Sequence, residues 1–391
     1  MTGAPGGSRW TDTLLNSKRQ QGDPFGDDVV EKLFAQGNVQ AVNDLMRTLV
    51  SNDQPVPAGL PTLVQGYLAK NVALPVWAEP AKIKRGQKLF EELGLQISLC
   101  LFCASLPSAY AAAKGVKVLS RTAQLETNAR RRVMETGQFL INVLAVDSFE
   151  PQGKGFRAIQ HVRLMHAAVR KMIVNRNNQH PGFWDPNWGV PINQEDLAGT
   201  MLSFSYVPVG PMRQLGVELS TEDKEAYLHL WNVIAHLLGV DDDMRVEGIE
   251  DATALVETIR RRQFRASPEG QQMAAALMEL LDELTPGHEF DKTIPPLIRH
   301  LAGDDIADML AVPPSKFTDD LGRLTQVANW FWLRAFGKKL RSNSPRYQVV
   351  SDLVRPFGRE LMLGMFALQR GGVRAAFDIP DHLARKWEVS K

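Results

Sequence analysis

Residues 156–170 read FRAIQHVRLMHAAVR, and how this stretch folds decides the class of the whole chain. On a helix, at about 100° per residue, Val162, Met165, Val169 and Met172 fall into one apolar stripe. A strand would scatter the same four residues over both of its faces. His166 lies within the stripe. Arg163 and Arg170, three residues before it and four after, flank it on nearly the same side. His161 points about 140° away, beside Leu164 and Ala168. The stretch therefore predicts a helix that turns His166, and not His161, toward the interior.

Helical periodicity continues in both directions from there. Upstream it predicts helices over about 27–50, 60–71, 80–113 with a break near Pro107, 123–147 and 155–175. Residues 175–196, NRNNQHPGFWDPNWGVPINQED, are dense in Asn and Pro and read as a loop. Helices resume at about 194–206, 221–238, 249–264, 267–284, 293–302, 316–336 and 345–371. Asn193, Glu195 and Asp196 after Pro191, and Ser220 or Thr221 before acidic residues, are predicted caps. Alternating apolar and polar residues are scarce, and no G-x-G-x-x-G follows a strand, which argues against dinucleotide and P-loop folds. The expected class is all-α. The Gly-, Pro- and polar-rich residues 1–24 predict a flexible N-terminal segment, leaving 25–391 as a single large domain.

The charge balance narrows the partners. With 45 basic and 44 acidic side chains the net charge is +1, so no field steers polyanions and nucleic acid is not expected as a ligand. The first residues carry no signal-peptide core, from which a cytoplasmic location is expected. The longest uncharged run, Leu93–Ala113, is long enough to span a bilayer, but Gln96, Ser98, Ser105, Pro107 and Ser108 interrupt it. It reads as a buried core helix ending before Pro107, with membrane-surface contact as the alternative. Cys100 and Cys103, the only cysteines, lack further ligands for zinc and the histidine of a covalent haem attachment, and read as small apolar fillers. His229 and His236 share a helix face and read as structural, with a second partner or rival ligand as the alternative. Trp330, Phe331 and Trp332 read as core packing or a channel lining.

Two polar islands interrupt these apolar helices. Arg132, Glu135 and Thr136 stand at i, i+3 and i+4 in ETNARRRVMETGQFLINVLAV, so they project together. Gly137 costs roughly 1 kcal/mol inside a helix relative to alanine, a cost that close approach of another backbone or a flat ligand would explain. A buried imidazole on one helix and a small polar cluster on its neighbour fit a haem pocket: iron takes the imidazole, and the opposite side handles oxygen. Cations near the proximal helix would pair with the propionates. The plainer alternatives are a core histidine and a solvated ion pair.

Order and spacing add a resemblance. R-x-x-x-T at Arg132–Thr136, R-x-x-H-A-A-V-R at Arg163–Arg170, and the thirty residues from Thr136 to His166 resemble one oxygenase family. It joins bacterial latex-clearing proteins, or rubber oxygenases, to fungal endoplasmic-reticulum-bound oxygenases that shorten isoprenoid side chains. SLPSAYAAAKGVKVL, WGVPINQEDLAGT and AYLHLWNVIAHLLGV look alike too, so the resemblance runs from about Leu74 to the FDIP near the C-terminus. It implies one all-α domain with a globin-like core holding non-covalent haem b, with dioxygen as co-substrate. His166 would match the proximal iron ligand, and Arg132 and Thr136 the distal polar residues. Glu135 departs from the pattern, in which a lysine stands; a carboxylate lifted by burial could still act as a base.

These readings together predict a haem b oxygenase that cleaves C=C bonds of a hydrophobic, isoprenoid-type substrate. Arg132, Glu135 and Thr136 act at the oxygen, while Arg163 and Arg170 hold the propionates or support the proximal helix. Rubber itself is doubtful because of Glu135 and the expected location. The alternatives are a peroxidase-like or oxygen-binding haem protein and a haem-free helical interaction protein.

Overall fold

The Thr11 hydroxyl accepts from the Leu14 amide at 3.2 Å and starts the first helix, α1 (Asp12–Lys18). The computed structural model describes residues 9–37, 52–57, 59–70, 72–121, 125–215, 217–284 and 293–314. Residues 9–24 correct the expectation of a flexible segment. Trp10 and Leu15 are built into the main core, and Lys18, Arg19 and Asp23 are buried. Arg9 meets Asp251 at 2.7 Å, and Asp12 meets Arg261 at 2.7 Å. The Gly- and Pro-rich composition concealed two apolar anchors and a series of complementary charges, which offset the entropy of ordering a short segment.

Helix α2 (Pro24–Gln36) opens on a proline and closes at Gly37, whose φ of 72° lies in the left-handed region. The predicted continuation to residue 50 lies outside the described residues. Val29, Val30 and Leu33 of α2 pack with Val64, Tyr67 and Leu68 of α3 (Thr62–Lys70) in a satellite core of their own.

The uncharged run folds as α4 (Pro80–Cys100), a π-helical turn (Leu101–Ser105) and α5 (Leu106–Ala111). Helical structure thus continues through Pro107, where an end was expected. The wider π turn resets the hydrogen-bond pattern, so Pro107 enters in the first turn of the renewed helix, where no amide donor is needed. Ser108 Oγ donates to the Ala104 carbonyl at 2.7 Å. Pro80–Ala111 is long and apolar enough to cross a membrane, but 67% of its apolar window is buried inside the fold, as in a core helix. Burial pushes the Cys103 thiol up to about 12 and the Cys100 thiol well above its usual value. Neither cysteine is therefore expected to react with an aromatic disulfide reagent in the native protein. Labelling before denaturation would refute that burial.

The remaining described helices are α6 (Val116–Arg121), α7 (Leu125–Leu144), α8 (Gly155–Gln179), α9 (Gln194–Ser205), α10 (Val209–Gln214), α11 (Thr221–Leu237), α12 (Ile249–Gln263), α13 (Pro268–Leu284), α14 (Ile294–Ala302) and α15 (Asp304–Met309). The class is all-α, as expected; among the described residues the nearest thing to a strand is an isolated bridge between Ala112 and Phe264. The predicted helices at 316–336 and 345–371, with Trp330, Phe331 and Trp332, lie outside the described residues. Helix α8 runs four residues past its expected end, through the polar stretch before His180.

Helix α11 lies along α4, and Gly86 sets how close they come: a Cβ there would stand 3.0 Å from the Ala226 carbonyl oxygen. Asn193 caps α9 and Ser220 caps α11, accepting from the amides of Asp196 and Asp223, each at 3.0 Å. Glu195 does more than favour a helix start. It has no exposed surface and accepts from Arg262 Nε at 2.9 Å, Gln263 Nε2 at 3.0 Å and Arg19 Nη1 at 3.3 Å. One carboxylate thereby joins α9, α12 and the N-terminal segment.

Candidate active site

Helix α7 carries the first polar island on the rim of an apolar face. Val133, Met134, Leu140 and Ile141 are buried, Arg132, Thr136 and Gly137 are half-buried, and Glu135 is exposed. Thr136 and Gly137 line a small apolar cavity, with about 30 Å³ of enclosed space, together with Phe90, Phe102, Leu140 and Phe204. Among the described residues that line it, Ser98 and Thr136 supply the side-chain hydroxyls. The π turn contributes Leu101 and Phe102 to the wall, so the irregularity in the long helix shapes this space. Gly137, costly inside a helix, is one of the residues that line it.

Arg132 does not project into the cavity with Thr136. Its Nη1 donates to the Leu119 carbonyl at 3.4 Å, and burial lowers its pKa, an effect opposed by Tyr110 and Glu135. The Tyr110 hydroxyl is itself buried and pushed upward by desolvation, with the Arg132 charge acting the other way. The sequence reading passed over Tyr110, because an aromatic residue in SLPSAY looks like packing. Glu135 is exposed.

The second island presents a different face from the one expected. Arg163, Leu164, Ala167, Arg170 and Ile173 form the buried side of α8, while Met165 is 47% and Met172 51% exposed. The apolar stripe of the sequence is thus uncovered over half its length. His166 stands between the two sides. Its Nδ1 is buried and has no hydrogen-bond partner among the described residues. Burial first, then the Arg170 charge, holds the imidazole down to about 4 against the opposing charge of Asp23. The ring is therefore neutral at physiological pH, the form in which it binds a metal.

Arg163 and Arg170 are engaged on the far side. Asp23 takes Nε and Nη2 of Arg163 at 2.6 and 2.7 Å, and Asp27 takes Nε of Arg170 at 2.8 Å. These ion pairs span more than 130 residues of chain and have no local signature. His229 accepts from the Glu79 amide at 2.8 Å, and His236 meets Asp242 at 2.8 Å; both pack edge-on against Trp77. The structure thus brings Thr136 and Gly137 to one cavity and seats His166 on the neighbouring helix. His166 is not among the residues lining that cavity. Among the described residues no three His, Cys, Asp or Glu side chains gather as a metal-ligand set.

Residues 97–336, more than half of the chain, match the family described as "ER-bound oxygenase mpaB/B'/Rubber oxygenase, catalytic domain". The rubber oxygenase of Streptomyces sp. (strain K30) is 27% identical over 365 residues, covering 92% of this chain and 85% of that protein. A solved structure of latex clearing protein LCP in the closed state shares the fold, with a TM-score of 0.73 at 24% identity over 93% of this chain and 95% of that one.

Proposed function

The chain belongs to the family of ER-bound oxygenase and rubber oxygenase catalytic domains, and from that premise we propose a haem b-dependent oxygenase. With dioxygen it cleaves C=C bonds of a hydrophobic, isoprenoid-type substrate to carbonyl fragments. The observation that carries the haem assignment is His166: a neutral imidazole with an orphaned buried Nδ1, beside methionines left uncovered. A buried polar atom without a partner calls for an explanation, and a ligand absent from the protein chain supplies one. A lone imidazole is a poor site for a bare ion, but a porphyrin brings its own nitrogen donors. When bound, haem iron supplies the redox chemistry that lets dioxygen react with an alkene.

The chain's own residues supply the setting. His166 holds the iron. The cavity beside Thr136 and Gly137 receives an apolar chain and excludes water from it, which strengthens the few polar contacts inside. The Thr136 hydroxyl is the hydrogen-bonding group of α7 placed on that cavity, and Arg132, on the same helix, is half-buried near Tyr110. Exposed Glu135 is assigned no proton transfer. Arg163 and Arg170, already paired with carboxylates, support the proximal helix and are not assigned to the propionates.

The test is an absorption spectrum with a pyridine haemochrome assay on the purified protein, then aerobic incubation with isoprenoid alkenes of increasing length, polyisoprene included. A Soret band together with aldehyde- and ketone-ended products carrying oxygen from ¹⁸O₂ is expected. A haem protein that turns over peroxide but yields no carbonyl fragments would overturn the alkene chemistry. A protein that stays colourless after haem is supplied would overturn the cofactor.

A further inference from the structure

The helix that carries His166 is held from behind by α2. Asp23 grips Arg163 through Nε at 2.6 Å and Nη2 at 2.7 Å, with both side chains nearly sealed from solvent. One turn later Asp27 takes Nε of Arg170 through both oxygens, at 2.8 and 3.0 Å, and after another turn Glu31 meets Lys171 at 2.8 Å. The carboxylates thus stand at the N-cap of α2 and four and eight residues beyond it, on the side that follows α8.

Each arginine also reaches a third segment. Nη1 of Arg163 donates to the Leu237 carbonyl at 3.2 Å, at the end of α11. Nη1 of Arg170 donates to the carbonyls of Pro191 and Ile192, at 3.1 and 2.6 Å. There is little slack around the first pair. A Cβ on Gly26 would stand 2.7 Å from Asp23 Oδ2, and one on Gly239 would stand 2.7 Å from that oxygen and 2.8 Å from Arg163 Nε. Gly239 also has a φ of 89°, a conformation that other residues rarely adopt.

Arg163 and Arg170 bracket His166 along α8, so whatever fixes the two guanidinium groups fixes the helix on either side of the imidazole. We propose that Asp23 and Asp27 are positioning residues for His166: by anchoring and neutralising Arg163 and Arg170 they set the rotation of α8 and the aim of the imidazole. The inference rests on the reading of His166 as the haem ligand. The charges of Asp23 and Arg170 both reach the ring, with opposite signs. Removing a carboxylate leaves its arginine buried without a counter-charge and adds net positive charge beside the cofactor. That change weakens ligation and favours the more reduced, less positive iron.

The experiment compares full-length holoproteins carrying Asp23→Asn, Asp27→Asn, Asp23→Glu and Asp12→Asn with the wild type and His166→Ala. It reads haem loss to an excess of a haem-scavenging apoprotein, the haem midpoint potential and helix content. Asp23→Asn and Asp27→Asn are expected to lose haem about 10–100-fold faster, the usual penalty for removing a group that orients a metal ligand, and to show a higher potential. Asp23→Glu should recover part of the loss. Asp12→Asn, which breaks a pair in the same N-terminal segment away from α8, should leave both readings at wild-type values. Wild-type haem retention and potential in both asparagine variants would overturn the proposal, as would an equal effect from Asp12→Asn. Should Asp23→Asn fail to fold, Asp27→Asn decides, because its carboxylate is part-exposed and its loss is better tolerated. If His166→Ala keeps haem as the wild type does, the haem-ligand reading itself has failed, whatever the aspartates do.

Discussion

His166→Ala is expected to purify without a Soret band and to show no oxygenase turnover above background, while His161→Ala keeps both. The two histidines lie five residues apart on α8, so a general injury to the helix would affect them alike. The haem-free state separates the functional role from a packing role more sharply. A core histidine that packs and hydrogen-bonds should destabilise the protein when truncated. His166 Nδ1 has no partner among the described residues, and a buried polar atom left unpaired costs about 1–3 kcal/mol. Haem-free His166→Ala should therefore withstand denaturant no worse than the haem-free wild type. His166→Gly supplies the complement: free imidazole added to it should restore haem binding, although glycine costs the helix about 1 kcal/mol. A normal Soret band in His166→Ala would refute the ligand assignment outright.

Glu195→Ala is expected to give the largest loss of stability of any single change considered, about 3–5 kcal/mol, as when one partner of a buried ion pair is removed. The reason is the pair of cations left behind. Arg19 and Arg262 both lean on this carboxylate; Arg19 keeps the Asp196 carboxylate at 2.8 Å, while Arg262 keeps the neutral Asn16 at 2.8 Å and the more exposed Asp12 carboxylate at 3.0 Å. Glu195→Gln should recover part of the loss, since the amide oxygen still accepts from Gln263 or Arg262 but supplies no charge. The urea midpoint of each variant, measured in the same cofactor state, checks the order wild type, Gln, Ala. A midpoint for Glu195→Ala equal to that of the wild type would mean that the network contributes nothing.

What the sequence could convey of the candidate site is local. Thr136 and Gly137 share a turn of α7, His166 and its arginines share two turns of α8, and helical spacing predicts which of them project together. Other parts were not legible. The stripe containing Met165 and Met172 looked core-facing, but α8 has apolar residues on more than one side, and a helical projection does not say which side the rest of the chain covers. Tyr110, beside Arg132, gave no signal in the sequence.

Read alone, the sequence determined the all-α class and where most of the described helices run, since these depend on residues within a few turns of one another. The tertiary structure alone decided which charges are neutralised. Asp23 and Arg163 lie 140 residues apart, and Arg19 and Glu195 176 apart. In a chain whose acidic and basic residues nearly balance, every arginine has many eligible carboxylates. Helical periodicity is a short-range property of the backbone, whereas the partner of a buried charge is set by which helices meet. For that reason residues 9–24, loose by composition, turned out to include the carboxylate behind Arg163 and, with Asp27 in α2 just beyond, to brace the helix that carries His166.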